Sequence, residues 1–159
     1  MTAGFPRPSC GPTRNSRMHV YEFLVDTGWA IEEVRLYDVS PVESEKFKNT
    51  TCRLEQHDTV TVLSDVAQLV RACDLILFTT VASKPHITDG TLFEHNPLVL
   101  HVSLRDLAPE ILLNSQNVVD DIDHVMKANT SPHLAEQKTG NRNGAMTTLI
   151  EDRCGVKVQ

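Results

Sequence analysis

The sequence has no apolar stretch long enough to cross a bilayer. Runs such as Leu75–Phe78 and Leu98–Leu100 fall far short of the ~20 residues that a spanning helix needs. Nor is there an excess of basic charge. The 15 Lys and Arg are outnumbered by 21 Asp and Glu, for a formal net charge of −6, which argues against sequence-independent nucleic-acid binding, because that needs a basic face to displace counterions. Cysteine is sparse and never paired as C-x-x-C. With Cys10, Cys52, Cys73 and Cys154 far apart, neither a zinc knuckle nor a disulfide framework is suggested, and reduced thiols are the expectation. The amino terminus lacks the apolar run of a secretory signal, and the expected location is cytoplasmic. Internal repeats, low-complexity runs and heptads are missing too, as is any H-E-x-x-H pair among the seven histidines. What remains is the composition of one globular domain: 159 residues, 40% hydrophobic and 23% charged.

From Glu33 to about Gly140, short β-branched apolar runs alternate with amphipathic segments, the pattern of strand–helix units on a parallel sheet. Strands are expected at Glu33–Tyr37, Thr59–Leu63, Leu75–Thr79, Leu98–Val102 and Asn117–Val119. Ser40-Pro41-Val42-Glu43 has the form of a capping box and predicts a helix from Pro41 towards Asn49. Ser103-Leu104-Arg105-Asp106 has the same form and opens a segment with Leu104, Leu107, Ala108, Ile111 and Leu112 at helical spacing. Helices are also expected near Arg17–Asp26, after Ser64, and from Ser131-Pro132 to a left-handed cap at Gly140. Met1–Pro12, with Pro6, Pro8 and Pro12, reads as loop or disorder, since each proline removes a ladder donor. The tail after Asn141 has weak periodicity and a short helix at Ala145–Asp152.

Several residues invite chemistry, each with a plainer alternative. Asp38 ends the strand Val34-Arg35-Leu36-Tyr37; in a dinucleotide-binding fold an acid there accepts both adenosine ribose hydroxyls and repels a 2′-phosphate, favouring NAD over NADP. Taken alone, an Asp at that point more often just solvates a strand end or turn. Ser9-Cys10-Gly11-Pro12 resembles a glycine-rich phosphate turn, but Ser9 holds the first glycine position and Arg14 stands three residues beyond Gly11, so the residues favour a simple tail. Thr79-Thr80-Val81-Ala82-Ser83 follows a strand, where a doubly wound sheet meets its ligand, or is an ordinary loop. Arg105 could fork onto a carboxylate and Asp106 could exchange a proton, whereas the capping box alone would explain Asp106. Asp120-Asp121-Ile122-Asp123-His124 matches no calcium loop, and acids opening a helix are explained by its dipole.

The segments Trp29–Asp38, Cys73–Pro85, His101–Leu107 and Val118–His124, in that order, resemble the ornithine cyclodeaminase/mu-crystallin family, and within it the dehydrogenases of 2,3-diaminopropionate (siderophore) biosynthesis. The likeness covers roughly residues 18–142. It implies a Rossmann-like, doubly wound parallel α/β sheet that binds NAD, flanked by an irregular segment at 1–17 and a variable tail at 143–159. It also implies a small amino-acid substrate and a homodimer. In the implied reaction, hydride leaves an amine-bearing carbon, water hydrolyses the imine, and 2,3-diaminopropionate and 2-oxoglutarate result. Position by position, Gly11 falls in the phosphate turn, Asp38 holds the ribose, Thr80 and Val81 line the cofactor, Ser103 lies near the nicotinamide, and Asp106 matches the acid beside the reacting carbon.

The sequence departs from the family at the first strand and glycine turn, which should lie just before Met18. It also carries no counterpart of the family's substrate and dimerisation domain, with its lysine and arginines. A sheet ordered 3-2-1-4-5-6 would then hold an empty slot between Glu33–Tyr37 and Leu75–Thr79. Weak or no NADH binding by the chain alone is the expectation. Two functions follow: the cofactor domain of an NAD-dependent amino-acid dehydrogenase, or an inactive fragment or binding module that keeps the fold.

Overall fold

The computed structural model describes residues 2–7, 14–140, 146–152 and 155–158. It divides into two compact units, one of Met1–Val81 with Thr91–Ser103, the other of Ala82–Gly90 with Leu104–Gln159.

The first unit is a five-stranded parallel sheet ordered β3-β2-β1-β4-β5, built from β1 (Thr2–Arg7), β2 (Glu33–Asp38), β3 (Thr59–Val62), β4 (Leu75–Phe78) and β5 (Leu98–His101). Its helices are α1 (Arg14–Asp26), α2 (Pro41–Thr50) and α3 (Val66–Ala72). Strand order runs one way from β1 to β3 and reverses at β4. Right-handed crossovers therefore put α1 and α2 on one face and α3 on the other. Tyr21, Leu24, Val34, Leu36, Phe47, Leu75 and Leu77 form the core under α1 and α2. Strand alternation turns Ile76 and Phe78 to the opposite face, and all four residues of β4 are buried, as a strand covered on both sides requires.

The main correction to the sequence reading lies at the amino terminus. Thr2–Arg7 is neither loop nor an irregular piece of a 1–17 segment; it is β1, paired in parallel with β2 from Thr2↔Glu33 to Arg7↔Asp38 and with β4 at Ala3↔Leu75 and Gly4↔Ile76. The central slot is filled, and the sheet is not missing its first strand. Pro6 is tolerated because the ladder to β4 ends at Gly4; beyond it β1 is flanked on one side only, the situation in which a strand accepts proline. The turn containing Gly11 lies outside the described residues.

A buried polar chain locks this unit below the sheet. The Tyr21 hydroxyl, fully buried, donates to His57 Nε2 at 2.8 Å and accepts the Arg53 N–H at 2.8 Å, while His57 Nδ1 donates to the Ile31 carbonyl at 2.8 Å. Donors and acceptors agree around the chain, which fixes the Nδ1–H tautomer of His57. Burial pushes the Tyr21 phenol above its ordinary range.

The second unit holds α4 (Pro109–Leu113), α5 (Ile122–Val125), α6 (Ser131–Thr139) and a three-stranded sheet β6-β7-β8, with β6 (Asn117–Val119), β7 (Met146–Asp152) and β8 (Gly155–Val158). Three expectations change here. Asn117–Val119 is a strand, but pairs with β7 rather than joining the larger sheet. Residues 146–152 form that strand instead of a helix, in parallel with β6 and antiparallel with β8. Ser103–Asp106 opens no helix; α4 starts at Pro109, after Ala108 at φ −66°, ψ 151°. A residue preceding proline is pushed out of the helical region, which overrides the capping pattern upstream. Gly140 ends α6 at φ +68°, as expected. No helix among the described residues is long and apolar enough to cross a membrane.

Candidate cofactor and proton-transfer sites

Where strand order reverses, neighbouring connections leave a doubly wound sheet on opposite faces and open a crevice at its carboxyl edge. Here the reversal lies between β1 and β4. Asp38 closes β2 at that edge, next to the last residue of β1. Its side chain is buried, 3% exposed, and Oδ1 accepts the Ser40 N–H at 2.9 Å. Ser40 in turn makes no side-chain cap; its carbonyl accepts the Glu43 N–H at 3.0 Å. Sequence alternatives for Asp38 thus coincide: it closes a turn, and it stands where a ribose acceptor belongs.

Thr79 and Thr80 follow β4 directly and are both buried, while Val81 is exposed. Ser103 is drawn in beside them, since the Phe78 carbonyl accepts the N–H of Val102 at 3.0 Å and of Ser103 at 3.1 Å. Asp38, Thr80, Val81 and Ser103 therefore all lie at the carboxyl ends of parallel strands of the first unit. Thr79 belongs to the same motif, although the resemblance assigns the cofactor contacts to Thr80 and Val81. Its Oγ1 is buried and finds no hydrogen-bond partner among the described residues, a rare state for a hydroxyl. That orphan fits a cofactor with polar groups at this edge. Thr79→Val should leave the melting temperature unchanged or raise it, by up to about 1 kcal/mol of stability, because no protein bond is lost, while weakening NADH binding several-fold. A drop in stability of that size instead would mean that the hydroxyl has a structural partner.

Asp106 belongs to the second unit and is fully buried. Its carbonyl accepts the N–H of His86 at 3.0 Å and of Ile87 at 2.9 Å, alongside a parallel bridge between Ile87 and Leu107. His86 Nδ1 lies 3.7 Å from Asp106 Oδ1. Arg105 is engaged with the backbone. Its Nη1 and Nη2 donate to the carbonyls of Ser83 at 3.4 Å and Ala128 at 2.7 Å, so it braces two loops. Asp121 is the cap of α5, accepting the His124 N–H at 2.9 Å, which accounts for that acidic cluster. Burial pushes the Cys52 and Cys73 thiols up to about 12, far from a reactive thiolate at neutral pH.

No protein family and no curated protein matches the sequence. Solved structures do match it. The Δ1-pyrroline-2-carboxylate reductase of Thermococcus litoralis, in complex with NADH and L-proline, superposes with a TM-score of 0.77 at 16% identity, over 92% of this chain and 45% of its own. This is a Rossmann-like fold. An archaeal alanine dehydrogenase dimer with bound NAD matches at TM-score 0.63 and 20% identity, over 92% of this chain and 44% of its own. CmnK matches at 0.66 and 21%, over 91% and 41%. The Rossmann-like chain thus spans less than half the length of each of these structures.

Proposed function

We propose that this chain is the NAD(H)-binding part of an amino- or imino-acid dehydrogenase. The observation that carries the reading is the buried carboxylate of Asp38 at the carboxyl end of β2, beside a filled central strand in a 3-2-1-4-5 sheet. An acid there accepts the adenosine ribose hydroxyls and disfavours a 2′-phosphate. Thr79, Thr80, Val81 and Ser103 would face the rest of the cofactor, and Gly11, outside the described residues, would meet its phosphates as the resemblance implies. NAD, when bound, supplies the hydride acceptor. The solved structures with NADH or NAD support this choice, and their ligand L-proline and the alanine dehydrogenase name support a small amino-acid substrate. Membership of the ornithine cyclodeaminase/mu-crystallin family, and 2,3-diaminopropionate as a product, are the finer form of the same proposal, as are homodimerisation and a cytoplasmic location.

The reason for expecting weak binding was an empty slot at the sheet centre, and β1 occupies it. Titration of the full chain with NADH, followed by nicotinamide fluorescence or calorimetry, is expected to give micromolar affinity and at least tenfold weaker binding of NADPH. No saturable binding at millimolar NADH, or a preference for NADPH, would reject the reading. Binding without turnover of any amino acid would favour a non-enzymatic module with the same fold.

A further inference from the structure

Within the first unit, a cavity of about 230 Å³ opens between α1 and α2, and none of the residues assigned to the cofactor lines it. Arg17 and Met18 of α1 form one wall, and Glu43, Lys46, Phe47 and Thr50 of α2 the other. The four α2 residues follow one another at spacings of three, one and three, which places them along one stripe of the helix. Since α2 runs back from the carboxyl edge of the sheet, its second half, with Lys46, Phe47 and Thr50, stands away from Asp38.

Arg17 is 6% exposed, and its Cζ lies 3.9 Å from the centre of the Phe47 ring. A guanidinium so far removed from water is costly to keep. Stacking on the buried ring offsets part of that cost and holds the group flat in the cavity wall. Lys46, at the surface, adds a second cation, so both donors call for an anionic acceptor. The wall also carries acceptors. Thr50 Oγ1 donates its proton to the Lys46 carbonyl at 2.7 Å, leaving only lone pairs, and Glu43 offers a carboxylate. That carboxylate would repel a simple anion, and it suits a ligand that brings a cationic donor as well. Met18 and Phe47 supply the apolar surface between these groups.

We propose that this groove is a second binding site, for a free amino acid with an apolar side chain. Its carboxylate meets Arg17 and Lys46, its ammonium meets Glu43, and its side chain lies against Met18 and Phe47. The site does not depend on the dehydrogenase reading, because no cofactor residue takes part in it.

The full chain is titrated with L-leucine, and with isocaproate and isoamylamine, which keep the apolar body but lack the ammonium and the carboxylate respectively. Saturable binding of L-leucine is expected, at least tenfold tighter than either analogue, with the amide signals of Met18 and Phe47 moving in proton–nitrogen spectra. Lys46→Gln should weaken L-leucine about tenfold, and its exposed position keeps the fold out of the question. Glu43→Gln should weaken L-leucine while leaving isocaproate binding equal or tighter. No saturable binding, shifts confined to residues outside α1 and α2, isocaproate binding as tightly as L-leucine, or an unchanged affinity in Lys46→Gln would each overturn the proposal. The NADH titration tests the cofactor reading separately, and its failure leaves these outcomes as decisive as before.

Discussion

Asp38→Ala is expected to weaken NADH binding about 10- to 100-fold, the effect of removing hydrogen bonds to a charged acceptor worth about 1.5–3 kcal/mol. The same change should narrow the preference for NADH over NADPH, because the charge that repels a 2′-phosphate goes with it. Asp38 also accepts the Ser40 N–H, so the alanine variant loses the turn contact as well. Asp38→Asn keeps an acceptor for Ser40 and removes only the charge. If the asparagine variant binds NADH as tightly as the parent while the alanine variant does not, the residue serves the turn and the ribose assignment fails. Paired fluorescence titrations of the two variants, with circular dichroism to verify folding, decide between these outcomes.

Removing Met1–Arg7 should abolish cooperative unfolding altogether. β1 pairs with β2 over six residues and with β4 at two, and its loss leaves the facing edges of both strands without partners. Each buried backbone group so exposed costs about 1–3 kcal/mol, and a handful of them exceeds the roughly 5–15 kcal/mol by which a domain is stable. A thermal melt of the shortened chain, followed by far-ultraviolet circular dichroism, is expected to show no sharp transition. A melt within a few degrees of the full chain would mean that β2 and β4 close on each other and that the first strand is dispensable.

Strands β2 to β6 were legible because their apolar runs are short, β-branched and bounded by turn residues, and Gly140 was legible because its left-handed φ suits a residue without a Cβ. β1 was hidden by its own composition. Gly4 and Pro6 are poor strand formers, and what admits them is tertiary: one ladder ends before Pro6 is reached. Ser103–Asp106 shows the opposite failure, a good local signal overruled by Pro109 and by the bridge that holds Leu107 extended against Ile87. At the site, Asp38 could be picked out by its place after a strand. The approach of His86 to Asp106 in the second unit could not, since nothing in the spacing of residues 86 and 106 announces that a parallel bridge brings them together. Thr79 was within reach of the sequence reading, but only its burial without a partner separates it from an ordinary loop threonine.

The position of β1 also bears on how the chain is made. Of the strands of its own sheet it is synthesised before the others and meets β2 early, but Leu75, its partner at Ala3 on the other side, is synthesised several seconds later at about 5–20 residues per second. For that interval one row of its backbone groups faces water. A strand interrupted by glycine and proline is a poor template for pairing with other chains, which suits a segment that must wait.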